Sequence, residues 1–496
     1  MTSCINRRNL LKAGGATVLG AAAGLAQASS PCAEIPKKWD VETDVLVIGS
    51  GGAGLAAAVS AKEQNVDVTV MEKLSFVGGN TMLSSGYFNC ADPERQNKQN
   101  IKDSVKHHIE QTLAAGDYRA NPKLVEVLCS NGLDTLHWLE GLGMKFRPTV
   151  MQVYGSLWPR SHLAVENKGA GYIRVLKAKC DEKGVHFLMG TKLKEFIREG
   201  QFTGRVLGVE ATDSKGKTIY VRARKGIVLA TGGFAANAEM RSRHDPRLRT
   251  LTTTNNTACS TGEGLIAANK VGAYLIGMDY IQCNPGKAPG HQNGVRQSLH
   301  LDVSRYIYVD QRGHRFVAED ERRDVLRDAV LNLPEKYGFC IVDKDGFDSY
   351  NEAVRIDARK GLETGDAFTA ESLEDLAKQL KIPPENLKKT VEEYNRAVDQ
   401  KKDTAFGKHA DQLTHRIEKA PFWAAFSAMA AHHTMGGVQI DEKARVVDAE
   451  QKVIPGLYAA GEVTGGIHGS NRVGGNAILD VHVFGRIAGR SAATMA

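Results

Sequence analysis

Residues 44–58 have the sequence DVLVIGSGGAGLAAA, and this stretch points to the fold that we expect. The continuous apolar run at 45–48 predicts a buried parallel strand, and the alanine-rich stretch after the glycines predicts a helix. Between them, Gly49, Gly51 and Gly54 match the pattern G-x-G-x-x-G. Glycines in such a turn let the backbone approach a pyrophosphate, to which the helix start offers free N–H groups. The stretch therefore predicts a dinucleotide-binding strand–turn–helix unit.

A second strand and three later glycine-rich segments indicate which dinucleotide is bound. Residues 66–71 (VDVTVM) end at Glu72, about twenty residues past the turn, where a carboxylate can accept hydrogen bonds from ribose hydroxyls. The later segments are GGNTMLSSG at 78–86, KGIVLATGGF at 225–234 and PGLYAAGEVTGG at 455–466. These segments recur together in flavoproteins with two dinucleotide-binding folds, so they favour FAD over a nicotinamide cofactor.

Composition and charge exclude several classes of protein. The chain has 496 residues, 42% hydrophobic and 24% charged, which is ordinary for a globular protein and unlike a disordered, collagen-like or multi-span membrane chain. The formal net charge of +7 is too small and too evenly spread to indicate nucleic acid binding. The eight cysteines are scattered singly, without a C-x-x-C pair. We therefore expect no metal site, no iron–sulfur cluster and no attached haem.

The amino terminus is predicted to be an export signal. Residues 6–12 (NRRNLLK) precede a small-residue apolar run at 13–28, which ends in the small-x-small sequence AQA. Adjacent arginines favour a twin-arginine signal over residues 1–28, with a linker at 29–37. That route exports folded proteins and therefore predicts a periplasmic protein that takes up its cofactor before export. The alternatives are an ordinary secretory signal or a membrane anchor, although the apolar run is shorter than the ~20 residues of a membrane span.

Three further strings carry a resemblance to a known family. They are RFVAEDERRD at 315–324, HHTMGGV at 432–438 and GEVTGGIHGSNRVGGNA at 461–477. Over roughly residues 40–496 the chain resembles the flavoprotein subunits of the fumarate reductase/succinate dehydrogenase family. It is most similar to the soluble periplasmic flavocytochrome c branch, which includes fumarate, urocanate and acrylate-type reductases.

The resemblance implies an α/β fold (α+β overall) with two units. A two-dinucleotide-type, Rossmann-like FAD-binding domain would comprise residues 38–278 and 434–496, and a clamp or capping domain would be inserted at 279–433. It also implies non-covalent FAD, because Asn80 stands where membrane-bound relatives place a flavin-linking histidine. Besides the glycines of the turn, the implied FAD contacts are Ala53, Glu72, Asn80, Thr81, Ser85, Gly86, the backbone of Leu193, Glu263, His433, Glu462, Ala477 and Ile478.

The reaction implied by the resemblance is hydride transfer from N5 of reduced FAD to the C=C bond of an α,β-unsaturated carboxylate. The carboxylate would be bound by His432 and Arg472, since a planar guanidinium can hold it through two hydrogen bonds. Gly86, Gly475 and Asn284 are further implied substrate contacts. The proton donor would be Arg323, reprotonated through Asp302 and Arg305, which stand where the family has E-x-x-R. Composition alone would interpret the charged run at 319–324 as a solvated helix face.

Two departures from the family pattern bear on the substrate. Fumarate-specific relatives bind the second carboxylate with a histidine and a threonine, whereas this chain has Asn284 and Leu301 at those positions. A buried second carboxylate with fewer donors would cost several kcal/mol. We therefore expect a mono-carboxylate enoate with a neutral or aromatic tail rather than fumarate. Trp158 is a candidate contact for that tail, although such a tryptophan is more often part of a core.

The expected partner is a separate electron donor. The FAD-binding fold follows the signal almost directly, so we expect electrons to come from a periplasmic multihaem c-type cytochrome, with no membrane span in the mature chain. The chain would then act as a terminal reductase in anaerobic respiration. The alternatives are a fumarate reductase proper, a flavin-dependent ketosteroid-type dehydrogenase, or a non-catalytic flavin electron carrier.

Overall fold

The computed structural model describes residues 34–153, 155–165, 168–254, 260–291 and 294–495, so the predicted export signal lies outside the described residues. The strands are Val41–Ile48 (β1), Val68–Met71 (β2), Tyr87–Asn89 (β3), Phe146–Met151 (β4), Ser161–Ala164 (β5), His186–Leu188 (β6), Lys192–Gly200 (β7), Thr203–Thr212 (β8), Thr218–Leu229 (β9), Leu275–Ile276 (β10), Ile281–Pro285 (β11), Tyr306–Val309 (β12), Tyr337–Val342 (β13), Ala367–Ala370 (β14), Phe422–Thr434 (β15), Gly437–Gln439 (β16), Arg445–Val447 (β17), Val453–Ala459 (β18) and Thr464–Gly465 (β19).

The α-helices alternate with these strands, as expected for an α/β protein. They are Gly52–Lys62 (α1), Gly79–Leu83 (α2), Pro93–Asn97 (α3), Val105–Ala115 (α4), Pro122–Ser130 (α5), Gly132–Gly141 (α6), Lys168–Glu182 (α7), Ala238–His244 (α8), Glu263–Lys270 (α9), Arg323–Leu331 (α10), Lys344–Asp348 (α11), Glu352–Thr364 (α12), Leu373–Leu380 (α13), Pro384–Gln400 (α14) and Asn476–Thr494 (α15).

The central sheet has a parallel core in the order β18-β9-β1-β2-β6. β17 pairs antiparallel with β18, and β7 and β8 extend from β9 as an antiparallel pair. The end of β1 is buried on both faces, which explains why residues 45–48 form an unbroken apolar run. The α/β FAD-binding fold predicted from the sequence is confirmed.

The C-terminal helix α15 packs directly on α1. Gly485 and Gly489 permit this close approach, because a Cβ at Gly489 would overlap the carbonyl oxygen of Ala57, and one at Gly485 would lie 2.7 Å from that of Ala53. The packing fixes the start of α15 beside the glycine turn that precedes α1.

A second, five-stranded sheet is formed by segments of residues 281–434. Its order is β11-β15-β13-β12, with β14 also on β15, and α13 and α14 pack beside it over a separate apolar cluster. Both helices occur where periodicity predicts them, at 372–380 and 385–401. The five strands lie within residues 281–434, and the clamp domain at 279–433 stays a prediction. Two smaller sheets have the orders β10-β16-β19 and β3-β5-β4.

Within the described ranges, no helix combines the length and apolarity that a membrane crossing requires.

Candidate functional site

The turn between β1 and α1 forms the base of a cavity. At Gly49, where φ is +105°, a Cβ would overlap Ala230 O, and a Cβ at Gly54 would overlap Gly49 O. The nearest atom to a Cβ at Gly51 is Gly78 O at 3.9 Å. The first and third glycines therefore serve backbone packing, while Gly51 leaves space in front of the helix N-terminus for a phosphate group.

The cavity above this turn has an empty volume of about 890 Å³, part of it open to solvent. Its lining includes nine of the predicted cofactor residues: Gly49, Gly51, Ala53, Glu72, Asn80, Thr81, Leu193, Glu263 and Glu462. The hydroxyl of Thr231, another lining residue, is buried without a hydrogen-bond partner in the described structure. The glycine cradle and this unsatisfied hydroxyl fit a bound FAD.

Glu72 is held rigidly on the cavity wall. Its Oε2 accepts hydrogen bonds from the N–H and hydroxyl of Ser50 at 2.9 and 2.6 Å, and its Oε1 accepts one from the N–H of Leu74 at 2.9 Å. Each carboxylate oxygen has more than one acceptor direction. Glu72 can therefore still accept from a ribose hydroxyl.

Glu263 lies in a cationic part of the same wall. Its carboxylate pairs with Lys73 at 2.8 Å and Lys192 at 2.9 Å, and hydrogen bonds with Lys73, Thr261 and Lys192 lower its pKa to about 2 despite burial. Both lysines line the cavity and were not predicted as site residues. Lys73 directly follows Glu72 and Lys192 directly precedes Leu193. These neighbours, both predicted FAD contacts, were the sequence signal that could have identified the two lysines.

Asn80, Glu462 and His433 meet at the end of the cavity near β15. Asn80 Nδ2 donates to Ser260 Oγ at 3.0 Å and to Glu462 Oε2 at 3.4 Å. Glu462 Oε1 accepts from the N–H of Thr434 at 3.1 Å and lies 3.7 Å from His433 Nδ1. Burial raises the pKa of Glu462 and, together with Arg472, holds the pKa of His433 well below its usual value.

Ser85 and Gly86 lie away from this cavity. Ser85 is exposed and lines a separate cavity with Tyr87 and Arg147. Gly86, with φ at +74°, packs against Lys168. Neither residue is among those that line the cavity above the glycine turn, and their contacts with FAD stay predictions.

Two predicted FAD contacts, Ala477 and Ile478, and the predicted substrate contact Gly475 lie where α15 begins. Gly475 is the N-cap of α15 with φ at +91°, and Ala477 and Ile478 belong to the first turn of the helix. Asn89 Nδ2 donates to Gly474 O at 2.7 Å and to Asn476 Oδ1 at 2.9 Å, which fixes this helix start.

Two arginines meet beside the cofactor cavity. Arg323 is the first residue of α10, and Arg472 lies in the segment between β19 and α15. Arg323 Nη1 and Arg472 Nη2 donate to the same atom, Gln282 Oε1, at 3.0 and 2.8 Å. The amide of Gln282 is oriented by its own donation to Asn471 Oδ1 at 3.1 Å and to Arg472 O at 3.0 Å.

Arg472 is a buried cation that forms no ion pair with a carboxylate among the described residues. It is 4% exposed, and burial together with the charge of Arg323 lowers its pKa to about 9. The two carboxylates whose charge reaches it, Glu462 and Asp480, pair with His433 and His468 instead. A buried positive charge of this kind requires an anion or several acceptors. The position is suited to a substrate carboxylate.

His432 joins this cluster through an irregularity in β15. Gln282 pairs with His433 and Cys283 with Ala431, so His432 is the extra residue of a bulge, a feature that redirects side chains near functional sites. Its Nδ1 lies 2.7 Å from Thr254 Oγ1.

The electrostatic surroundings of His432 keep it neutral. Burial, followed by the charges of Arg472, Arg323 and Arg296, holds the pKa of His432 well below its usual value. His432 therefore offers a neutral imidazole to a ligand. Arg296 was missed from the sequence because no motif marks its loop.

The predicted relay pair is formed, but apart from Arg323. Arg305 Nε donates to Asp302 Oδ2 at 3.1 Å, while Asp302 Oδ1 accepts from the N–H and hydroxyl of Ser304 at 3.1 and 2.6 Å. Because its side chain is short, Asp302 closes a local turn by accepting hydrogen bonds from Ser304, two residues further along the chain. The structure does not bring Asp302 into hydrogen-bond contact with Arg323.

Asn284 lies on the same strand as Gln282, two residues on, and therefore on the same face of β11. It is 7% exposed, and its Oδ1 is buried without a partner among the described residues. Leu301, by contrast, is 43% exposed. Asn284 therefore offers a buried polar group to a ligand, whereas Leu301 is an exposed apolar side chain and offers none.

Gly155 covers the guanidinium of Arg323. Its φ is +74°, and a Cβ at this position would overlap three atoms of that guanidinium. Gly155 was not predicted as a site residue, because the contact arises only in the folded chain. Trp158, the candidate tail contact, instead packs edge-on against His107 with ring centroids 4.8 Å apart.

Comparisons with known proteins agree with this geometry. Residues 44–478 match the FAD binding domain family. The chain is 37% identical to a fumarate reductase (cytochrome) of Shewanella frigidimarina, covering 91% of this chain and 77% of that protein. It is 33% identical to the acrylate reductase flavoprotein subunit of Shewanella woodyi, covering 98% of each.

Other relatives are longer. The NADH:acrylate oxidoreductase of Vibrio harveyi is 31% identical over 92% of this chain, which spans about half (51%) of that protein.

Among solved structures, the fold is similar to the open conformation of a flavocytochrome c3 fumarate reductase. The TM-score is 0.77 at 31% identity, over 99% of this chain and 81% of that one. A 3-ketosteroid-Δ4-(5α)-dehydrogenase from Rhodococcus jostii RHA1 also has a TM-score of 0.77, at 25% identity, over 94% of this chain and 99% of that one. The fold alone therefore does not separate the two chemistries, and the side chains must.

Proposed function

This chain belongs to the family of FAD-dependent fumarate- and enoate-type reductases, and from that premise we propose that it reduces the C=C bond of an α,β-unsaturated carboxylate. The observation that carries the proposal is the convergence of Arg323 and Arg472 on Gln282 Oε1, in a buried cluster where no carboxylate of the described part of the chain pairs with Arg472. An anion with two acceptor oxygens could take the place that one amide oxygen now fills for both guanidinium groups.

The cofactor would occupy the glycine cradle and the cavity above it. Gly51 and the start of α1 would face the pyrophosphate, Glu72 the ribose, and Asn80, Glu462 and His433 the opposite end of the cavity. Reduced FAD bound there supplies the hydride for the reaction. We propose that it is held without a covalent link, because position 80 is an asparagine.

The substrate carboxylate would be bound by Arg472 and His432. Arg472 supplies a fixed positive charge and His432 a neutral imidazole, which suits hydrogen bonding without additional repulsion between cations. Fixed donors aimed at developing negative charge are usually the largest contribution to such catalysis. These residues would polarise the double bond as well as orient it.

Arg323 would donate the proton to the other alkene carbon. A guanidinium is an acid with a pKa above ~12, but a carbanion is a stronger base, so donation is possible if the arginine is reprotonated. Asp302 and Arg305 remain the proposed route for reprotonation. The geometry supports Arg323 more directly than this pair, because Asp302 is bonded to Ser304 rather than to Arg323.

The preferred substrate would be an enoate other than fumarate. Asn284 supplies an uncharged amide where fumarate-specific relatives have a histidine, and Leu301 supplies no donor. Arg296, whose charge reaches His432, adds a further cation near this cluster. A test panel must therefore contain both mono-carboxylates with varied tails and unsaturated diacids longer than fumarate.

A ketosteroid-type dehydrogenase is the competing enzyme, since a dehydrogenase of this type shares the fold. A steroid ketone is uncharged and would leave the buried charge of Arg472 unpaired, at a cost of several kcal/mol. The cluster therefore favours an anionic substrate. A non-catalytic electron carrier has no need of such a cluster.

Electrons would reach the flavin from a separate periplasmic donor, for which a multihaem c-type cytochrome is our proposal. Relatives named acrylate reductase flavoprotein subunit and fumarate reductase (cytochrome) support a partner of this type. The predicted twin-arginine signal supports the periplasm.

The test is steady-state oxidation of dithionite-reduced viologen by the holoenzyme with acrylate, crotonate, cinnamate, urocanate, fumarate and trans-glutaconate. We expect rapid oxidation with at least one mono-carboxylate and a lower kcat/KM with fumarate. Activity with a steroid ketone alone would favour the dehydrogenase, and no turnover with any acid would favour the carrier.

A further inference from the structure

A single carboxylate links the two chain segments that carry Arg323 and Arg472. Arg322, which precedes the first residue of α10, donates through both Nη atoms to Asp117, with Nη2 to Oδ2 at 2.8 Å. The hydroxyl of Ser470, two residues before Arg472, donates to Oδ2 of the same carboxylate. Asp117 thus contacts the immediate neighbour of one guanidinium residue and a near neighbour of the other.

The backbone around Asp117 is in a costly conformation. Asp117 and Tyr118, which follow the end of α4, have φ values of +53° and +54°. Two consecutive non-glycine residues in the left-handed region are strained and persist where the surroundings fix them. Here Gly116 O accepts from the N–H of Ser470 at 3.1 Å, which holds this turn against the segment leading to Arg472.

The helix that carries Arg323 is attached to the FAD-binding part of the chain at both ends. At its start, Arg322 binds Asp117. At its end, Arg247 pairs with Asp328 at 2.8 Å and donates to Asn332 Oδ1 at 3.1 Å. The attachment at the start is the one adjacent to Arg323.

We propose that Asp117 is a positioning residue, which sets the separation of Arg323 and Arg472 by binding Arg322 and Ser470 at once. The inference rests on the proposed function, in which the two arginines hold and protonate the substrate. Asp117 touches neither the cofactor cavity nor the arginine cluster itself, so its effect must pass through the two segments.

Loss of the ion pair between Asp117 and Arg322 should affect the turnover rate far more than the free energy of unfolding. The side chains of Asp117 and Arg322 are 47% and 34% exposed, and an exposed ion pair contributes little to the free energy of unfolding. A displacement of about 1 Å at a reacting group, however, can cost up to about 100-fold in rate.

The experiment uses the FAD-loaded full chain and the best acid of the panel. We expect Asp117→Asn and Arg322→Gln each to lower kcat by roughly 10- to 100-fold, with FAD content and Tm close to wild type. The double variant should be no slower than the slower of the two single variants, because both changes break the Asp117–Arg322 link. Arg322→Gln also removes the ion pair of Arg322 with Asp324 at 2.7 Å, so Asp117→Asn is the cleaner of the two single changes. Ser470→Ala, which leaves the ion pair, should lose less.

The matched control is Asp399→Asn. Asp399 pairs with Arg416 on the surface with similar exposure, 53% and 40%, and this change should leave kcat and KM unaltered. Wild-type kcat in Asp117→Asn, or losses in the double variant that multiply, would overturn the inference while leaving the proposed function intact. If wild type reduces no acid of the panel, the proposed function itself fails.

Discussion

Arg323 and Arg472 donate to one and the same oxygen, Gln282 Oε1, from distances of 3.0 and 2.8 Å. Two guanidinium groups brought together in a buried site repel each other, and the lowered pKa of Arg472 reflects this repulsion together with burial. Such an arrangement is stabilised by an anion placed between them. The cluster is therefore better explained by a carboxylate ligand than by fold stability.

Replacing Arg323 tests its role as proton donor. Arg323→Ala should lower kcat by about 10²- to 10⁴-fold, the usual range for loss of a positioned acid, while FAD stays bound. Turnover and flavin content per protein are the measurements. Arg359→Ala, an exposed arginine on α12, is the control. Loss of flavin from Arg323→Ala would count against the assigned role.

Gln282 offers a test of the anion site without any ligand. Gln282→Glu places a carboxylate between the two guanidinium groups but loses the donations of Nε2 to Asn471 Oδ1 and Arg472 O, which Gln282→Leu loses as well. Gln282→Glu should therefore have a Tm about 2–4 °C above that of Gln282→Leu, and it should raise KM for the substrate at least about tenfold by competing with it. Gln282→Leu removes the shared acceptor and should lower Tm. A Tm of Gln282→Glu at or below that of Gln282→Leu would contradict the proposed charge balance.

Gly155 should be needed for the placement of Arg323. A methyl group at Gly155 would overlap the guanidinium, so Gly155→Ala should lower kcat at least about tenfold with FAD retained. Gly216→Ala is the matched control, because Gly216 has a similar φ of +81° and no atom within 4 Å of its position for a Cβ. Equal effects of the two changes would show that backbone strain, and not Arg323, is responsible.

Buried histidines should make the fold sensitive to acid. Burial lowers the pKa of His108 to about 3 and that of His482 to about 4, so between these values and ~6.5 the unfolded chain binds more protons than the folded one. Each histidine then reduces stability by up to about 1.4 kcal/mol per pH unit as pH falls below ~6.5. Tm measured from pH 7 to 5 should fall, and His482→Gln should flatten the slope. An unchanged slope would show that His482 is protonated in the folded chain.

Non-covalent FAD is tested by denaturation. Because position 80 is an asparagine, denaturing the holoenzyme should release all flavin into the protein-free supernatant, measured by absorbance. Flavin fluorescence that remains with the chain on a denaturing gel would contradict this prediction.

Local sequence predicted those parts of the molecule whose structure is local. In the turn at 49–54, the backbone packs so closely at Gly49 and Gly54 that only glycine fits. The sequence pattern G-x-G-x-x-G therefore predicted the turn correctly. The arrangement of Asp302 was not predictable in the same way, since the side chain could bond either Arg323 or the turn at Ser304, and its short length favours the turn.

Residues that act through tertiary contacts were missed for a related reason. Gly155 and Asp117 carry no motif, and their importance arises from what the fold places against them. Arg296 lies in a loop whose charge becomes relevant only once it packs near His432.

The central claim is most directly tested by a single-turnover measurement. Holoenzyme reduced with one equivalent of dithionite is mixed anaerobically with the best acid of the panel, and the return of oxidised-flavin absorbance is followed. We predict rapid reoxidation in wild type and a rate at least about 100-fold lower in Arg323→Ala. Absence of reoxidation by every unsaturated acid, or equal rates in the two proteins, would contradict the account.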